Sequence, residues 1–233
     1  MRIGLFGYGK MGKMIESLAV ERGHEIMAKI DLGEQEIDYS SFDIAIDFST
    51  PDAAFKNITS CFEHGIPVIS GTTGWLDHFD KAVSICNANE TGFIYASNFS
   101  LGVNIFFELN AQLAKMMATL EQYEVSMEEI HHTQKLDAPS GTAITLAEGI
   151  MANTSYTQWK LDEPGTATIP IHSKREGSVP GTHSIEYSSV VDSIEIKHTA
   201  HNRKGFALGA VLAAEWLIGK KGVYTMKDVL NLS

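Results

Sequence analysis

The chain has 233 residues, 44% hydrophobic and 20% charged, a composition that suits one large globular domain or two smaller ones. Its net charge of −11 argues against a nucleic-acid backbone as partner. No run approaches the roughly 20 apolar residues of a membrane span, no leader pattern opens the chain, and Cys61 and Cys86 lack CxxC or zinc spacing, so a cytoplasmic protein with two buried thiols is expected.

Arg2 to Phe6 reads as a short apolar strand that runs into Gly7-Tyr8-Gly9-Lys10-Met11-Gly12. Lys10 to Glu21 then reads as a helix with Met11, Ile15, Leu18 and Ala19 on one face, ended by Gly23. Glu25 to Ile30 is a second strand closed by Asp31. The alternation continues with a strand at Asp43 to Phe48, a helix at Ala53 to Glu63, a strand at Pro67 to Ser70, a helix at Leu76 to Asn89 and a strand at Gly92 to Ala96. Strands alternating with helices imply a parallel, doubly wound sheet, whose ligands sit outside the carboxyl ends of the strands. Gly7 to Gly12, Asp31, Ser49-Thr50, Gly71-Thr72-Thr73-Gly74 and Ser97-Asn98 all fall at such ends.

After Gly102 the pattern changes. Val103 to Leu120 reads as a long amphipathic helix, Tyr123 to His132 as a strand and Thr142 to Met151 as a helix. Asn153 to Pro180 is rich in Thr, Ser, Gly and Pro and shows little periodicity. Ser184 to Ser189 and Ser193 to Thr199 alternate like half-buried strands, and Gly205 to Ile218 is a small-residue helix that could return to the first domain. The expected fold is therefore α/β: a Rossmann-type doubly wound parallel sheet over residues 1–102 and 203–233, with a second, mixed α+β domain over 103–202 that serves substrate binding and oligomerisation.

The Gly7–Gly12 run fits G-x-G-x-x-G, which needs glycine for the tight turn, for backbone approach to a pyrophosphate and for close helix–strand packing. Asp31 lies 19 residues after Gly12, the spacing of a ribose-binding carboxylate. A carboxylate there accepts from a free 2′-hydroxyl and repels a 2′-phosphate, and no arginine occurs between Asp31 and Phe48, so NADH is preferred over NADPH. Lys10 and Lys29 leave dual use open.

Glu129-Ile130-His131-His132-Thr133-Gln134-Lys135-Leu136-Asp137-Ala138-Pro139-Ser140-Gly141-Thr142-Ala143 gathers two histidines, a lysine and a helix start. Histidine moves protons near neutral pH, lysine holds a carboxylate, and a helix tip offers free N–H groups to an anion. Each alone has a bland structural reading; together they describe a site that binds an acid and protonates it. Strand alternation sends His131 and His132 to opposite faces, so at most one of them aims straight at a given atom.

This segment resembles the signature of the bacterial dihydrodipicolinate (4-hydroxy-tetrahydrodipicolinate) reductase family, of the diaminopimelate route to lysine. Asp47-Phe48-Ser49-Thr50-Pro51, Gly71–Gly74, Ser97–Asn104, His201–Ala210 and Gly222–Leu230 resemble it in the same order. The resemblance implies NAD(P)H-dependent reduction, with loss of water, of a cyclic dicarboxylate by a homotetramer. It implies His131 as catalytic acid and Lys135 as proton donor, His132, Ser140, Gly141 and Thr142 as substrate contacts, and no metal. It further implies cofactor contacts at Gly7, Tyr8, Gly9, Lys10, Met11, Gly12, Asp31, Gly71, Thr72, Thr73, Ala96, Ser97, Asn98 and Phe99, and closure about Phe99–Val103 and Ala200–Gly205 gating turnover. The chain departs from the family in being short between Asp31 and Asp43 and in carrying Leu32 where an arginine often follows the acid, which weakens any NADPH preference. Another Rossmann imine or amino-acid oxidoreductase, such as an aspartate dehydrogenase, or a non-catalytic NAD(H)-binding protein would explain the glycines but not His-His-x-x-Lys followed by Ser-Gly-Thr.

Overall fold

The computed structural model describes residues 1–31 and 36–232; Leu32 lies outside the described residues. Packing divides the chain into two units, residues 1–101 with 204–233, and residues 102–203.

The first unit is built on a six-stranded parallel sheet. Its strands are β1 (Arg2–Phe6), β2 (Glu25–Ile30), β3 (Ile44–Asp47), β4 (Val68–Ser70), β5 (Gly92–Tyr95) and β11 (Gly222–Tyr224), in the order β11-β5-β4-β3-β1-β2. The central strands β3 and β4 are buried at every position, as a parallel sheet covered on both faces requires. Ile44, Ile46, Ile69 and Ile94 face α1 (Lys10–Glu21) and α6 (Lys204–Leu217), while Ala45, Val68 and Phe93 face α2 (Pro51–Glu63) and α3 (Phe79–Ala88). A Cβ on Gly209 of α6 would meet the Phe99 carbonyl oxygen at 1.7 Å, so only glycine lets this helix lie on that turn. Cys61 and Cys86 are free, buried thiols.

The second unit is a five-stranded mixed sheet of β6 (Glu124–His131), β7 (Gln158–Leu161), β8 (Thr168–Arg175), β9 (Gly181–Ser188) and β10 (Ser193–Ala200), ordered β10-β9-β6-β8-β7. Strand β6 is antiparallel to β9 and parallel to β8. One face is covered by α4 (Leu101–Met117) and α5 (Gly141–Met151), through Phe106, Ala114 and Met117 from one and Ala143, Leu146, Ala147 and Ile150 from the other. The buried amide of Asn110 donates to the Leu146 carbonyl at 2.8 Å and pins the two helices together.

The element pattern differs from the sequence reading in four places. Two strands, β7 and β8, lie in the stretch from Asn153 to Pro180 that shows little periodicity. The inward face of β8 begins apolar at Ile169 and Ile171 and turns polar at Ser173 and Arg175, which hides the alternation. The strand β11 and the short helix α7 (Met226–Leu230) close the first unit, and the helix from Leu76 begins as a 3₁₀ turn at Leu76–His78 before α3. Pro51, at the first position after the Thr50 cap, starts α2 two residues earlier than expected.

Candidate active site

In the first unit the carboxyl ends of the strands carry a cleft of about 720 Å³ lined by Gly7, Gly9, Asp31, Glu36, Tyr39 and Ser49 among others. Gly7 has φ +90°, and a Cβ on it would meet the Phe48 carbonyl oxygen at 2.1 Å. A Cβ on Gly12 would lie 2.2 Å from the Gly7 carbonyl oxygen, whereas Gly9 has open space before it. Two glycines thus tighten the turn and the third leaves bare backbone facing the cleft, at the start of a 12-residue helix whose first N–H groups have no intrahelical partner. Gly71 is constrained by a side chain instead, since its Cβ would meet the Phe48 ring at 2.3 Å.

Asp47, at the end of β3, had no role of its own in the sequence reading, yet it organises the neighbouring loops. It is almost fully buried and accepts from Ser49 Oγ at 2.6 Å, Thr72 Oγ1 at 2.7 Å and Ser70 Oγ at 3.0 Å. Thr72 Oγ1 in turn accepts from the Ser49 amide at 2.9 Å. Burial pushes the Asp47 carboxyl up from its ordinary range, and the hydroxyl donors oppose that rise. Among the other expected contacts, Lys10, Thr73 and Ser97 are exposed, Met11 and Ala96 are half-buried, and Asn98 and Phe99 are buried, Asn98 Oδ1 accepting from the Ser100 amide at 2.9 Å. Lys29 is engaged with Glu16 at 2.6 Å and lies 4.8 Å above the Tyr8 ring, whose hydroxyl donates to Glu16.

In the second unit the inward face of the sheet changes character along its length. Val125, Met127, Ile169, Ile171 and Ile185 form the apolar end; Glu129, His131, Arg175, His183 and His198 follow on the same face. Glu129 has no exposed surface. One of its oxygens meets His131 Nδ1 and the other accepts from Arg175 Nη2 at 2.8 Å. Burial alone would raise this carboxyl, but His131, Ser173 and Arg175 outweigh it and hold it down at about 2. The His131 and His183 rings meet edge to face with centroids 5.1 Å apart. Burial first, and then the neighbouring His131, depress His183 to about 3, so it is neutral at physiological pH.

His183 Nε2 lies 3.0 Å from Ser140 Oγ, which also accepts from the Ala143 amide at 3.2 Å as the cap of α5. This joins His131 to the tip of α5, where Gly141 is exposed with nothing within 4 Å of a notional Cβ and Thr142 is half-buried. Lys135 stands in the loop between them, its ammonium bound to both oxygens of Asp137 at 2.8 and 2.7 Å. That ion pair holds the Asp137 carboxyl below its usual range. His131 is buried and His132 half-buried, consistent with opposite faces at the end of β6. Such an arrangement offers a backed imidazole, a cation and an anion-binding helix tip within one unit.

The family described as dihydrodipicolinate reductase, N-terminus, matches residues 1–99, and its C-terminus counterpart matches residues 102–230. The chain belongs to the dihydrodipicolinate reductase family. The 4-hydroxy-tetrahydrodipicolinate reductase of Christiangramia forsetii is 59% identical over 99% of this chain and 98% of its own length. That of Thermosipho africanus is 37% identical over the same shares, 99% and 98%. The dipicolinate-bound dihydrodipicolinate reductase structure from Paenisporosarcina sp. TG-14 superposes with a TM-score of 0.82 at 22% identity, covering 97% of each chain, a likeness of fold.

Glu129, Arg175, His183 and Asp47 are members of these clusters that motif reading passed over. Glu129 was findable, since it precedes His131 by two positions on a strand and so shares its face. Arg175 was not, because β8 was not read as a strand.

Proposed function

We propose that the chain is a 4-hydroxy-tetrahydrodipicolinate reductase, an NAD(P)H-dependent oxidoreductase that reduces a cyclic dicarboxylate with loss of water on the diaminopimelate route to lysine. The observation that carries the reading is the cluster of the second unit: His131 backed by Glu129 and joined through His183 and Ser140 to an open helix tip.

The first unit fits a dinucleotide. Added carbon at Gly7 or Gly12 would collide with backbone, while the space at Gly9 suits a pyrophosphate, and Asp31 on the cleft suits ribose hydroxyls. When bound, the nucleotide supplies a hydride from its nicotinamide ring. Asp31 and Glu36 are the acids lining the cleft and Lys56 the cation there among the described residues, a balance that favours NADH over a 2′-phosphorylated nucleotide.

The substrate carries two carboxylates. The Ser140–Thr142 tip holds one through backbone N–H groups, assisted by the helix dipole, and Lys135 takes the other by exchanging Asp137 for it. His132 is a further contact. Hydride addition leaves negative charge on the conjugated ring, and His131 quenches it by proton transfer. Departure of the 4-hydroxyl as water takes one proton, which Lys135 or His131 supplies, and is balanced by the proton that leaves the neighbouring ring carbon as the C=C bond forms.

The test is an assay of NADH and NADPH oxidation with the condensation product of pyruvate and aspartate semialdehyde. Substrate-dependent oxidation, faster with NADH, is expected; its absence with both nucleotides sinks the reading. The protein acts in the cytoplasm as a homotetramer assembled through the second unit, where Val190 and Val191 stand exposed at the β9–β10 turn, and light scattering on the purified protein tests the assembly.

A further inference from the structure

We propose that Glu129 is a positioning residue for the reduction: clamped by Arg175, it fixes the His131 ring with Nδ1 protonated and leaves Nε2 as the atom that delivers the proton. The inference rests on the proposed role of His131 as the acid.

The contact of an ionised carboxylate with Nδ1 selects one proton arrangement. Glu129 is fully buried, with one oxygen on Arg175 and the other on His131 Nδ1. An ionised carboxylate only accepts, so Nδ1 must be the donor. The carboxylate is held ionised by its three neighbours, at about 2. Nε2 then lies on the far side of the ring, beside Gly181, where a Cβ would come within 3.0 Å of it. Glycine at that position keeps the delivering nitrogen uncovered.

The charged and titratable groups facing His131 come from every neighbouring element: Glu129 on its own strand, Arg175 on β8, His183 on β9, His198 on β10, and Lys135 with Asp137 in the following loop. His183 and His198 are both depressed, chiefly by burial, so neither competes as the acid. Arg175 reaches further than Glu129. Its Nη2 also donates to the Asp137 carbonyl at 2.7 Å, and its Nη1 to the Lys174 carbonyl at 2.7 Å. One guanidinium therefore steadies both the carboxylate behind His131 and the loop that carries Lys135.

The consequence is a pair of opposite shifts. Kcat for an enzyme that needs a protonated acid falls on the alkaline side as the acid deprotonates. Glu129→Gln removes the negative charge beside the ring and should move that limb to lower pH. Glu129→Asp, which keeps the charge, should hold the limb near its wild-type position. Arg175→Gln removes a positive charge and should move the limb up, and should also raise KM for the dicarboxylate because the Asp137 carbonyl loses its anchor. A purely structural role for the pair would lower kcat or stability without moving either limb.

The decisive experiment is the pH profile of kcat for the full-length wild type and these variants, with NADH affinity measured in each. Opposite movements in Glu129→Gln and Arg175→Gln support the proposal; limbs that stay put in both overturn it. If a variant does not fold, the ring nitrogens of ¹⁵N-histidine-labelled wild type decide: neutral His131 protonated at Nδ1 is expected, and protonation at Nε2 overturns the proposal. A His131→Ala enzyme that turns over normally would instead sink the acid assignment itself, a distinct result.

Discussion

The proposed nucleotide end of the first unit and the proposed acid end of the second are built by opposite means. The first works by what is missing: Gly7 and Gly12 have no room for a side chain against neighbouring backbone, and Gly71 none against the Phe48 ring. The second works by what is present: Glu129, His131, Arg175, His183 and Ser140 come from three strands and a helix cap and are joined by hydrogen bonds and ring contacts. A backbone site is written in a few consecutive residues, so it can be lost by one added methyl. A side-chain site is written across about 55 residues, from Glu129 to His183, and its members tune each other's charge.

The largest expected effect strikes the side-chain site. His131→Ala should cut kcat by ~10²–10⁴, the range for loss of a general acid, with NADH affinity unchanged. Normal turnover in that variant, read by stopped-time NADH oxidation, would break the division of labour between the units. Next is the backbone site. Gly12→Ala places a methyl 2.2 Å from a carbonyl oxygen that cannot swing aside, and should destabilise the first unit by about 1–3 kcal/mol while abolishing NADH binding by fluorescence titration. Retained binding would show that the turn yields.

Lys135→Ala should raise KM for the dicarboxylate and lower kcat together, because one cation serves binding and rate. A wild-type KM would remove it from the substrate. Asp31→Ala should shift the ratio of kcat/KM for NADH over NADPH toward NADPH by about tenfold, as loss of one ribose hydrogen bond and one repulsion would.

The last effect is on stability alone and leaves the division between the units untouched. Folded His183 takes up its proton only near pH 3, while in the unfolded chain it does so near 6.5, so the unfolded state binds more protons between those values. Stability from this group is complete above pH 6.5 and drains away as pH falls toward 3. Glu129, also depressed, adds a loss from about pH 4.5 down to about 2. Urea midpoints between pH 7 and 4 should therefore fall for the wild type and fall less steeply for His183→Asn; equal slopes would mean that the ring is not buried neutral.

How much of this was legible follows from the same contrast. The alternation of β1 through β5 with α1 through α3, and the glycine turn after β1, could be read directly, because local periodicity and local backbone demand coincide there. The stretch from Glu129 to Thr142 announced an acid site for a similar reason: its groups are close in sequence. What it could not announce was the partner set. Arg175 sits where the inward face of β8 turns from Ile171 to polar residues, so the feature that makes it functional erases the strand signal. His183 stands one residue before the segment read as a strand, Ser184 to Ser189, and its contact with Ser140 depends on β9 lying beside β6, a pairing without local trace. Asp47 looked like the polar end of a buried strand, and its bonds to Ser49, Ser70 and Thr72 appear only once β3 and β4 are adjacent.

The discontinuity of the first unit sets an order of assembly during synthesis. Strands β1 to β5 leave the ribosome with one edge of the sheet open, and that edge is closed only by β11, which pairs with β5 at Gly222–Tyr224. Ala207, Ala210, Val211 and Leu217 of α6, which fill the core on one face of the sheet, also arrive after the whole of the second unit. The second unit is a single stretch and can close as soon as Arg203 has emerged. The nascent chain therefore completes its second unit before its first, and a ribosome-stalled chain ending at Arg203 would expose Ile44, Ile46, Ile69 and Ile94 to chaperones until the last helix docks.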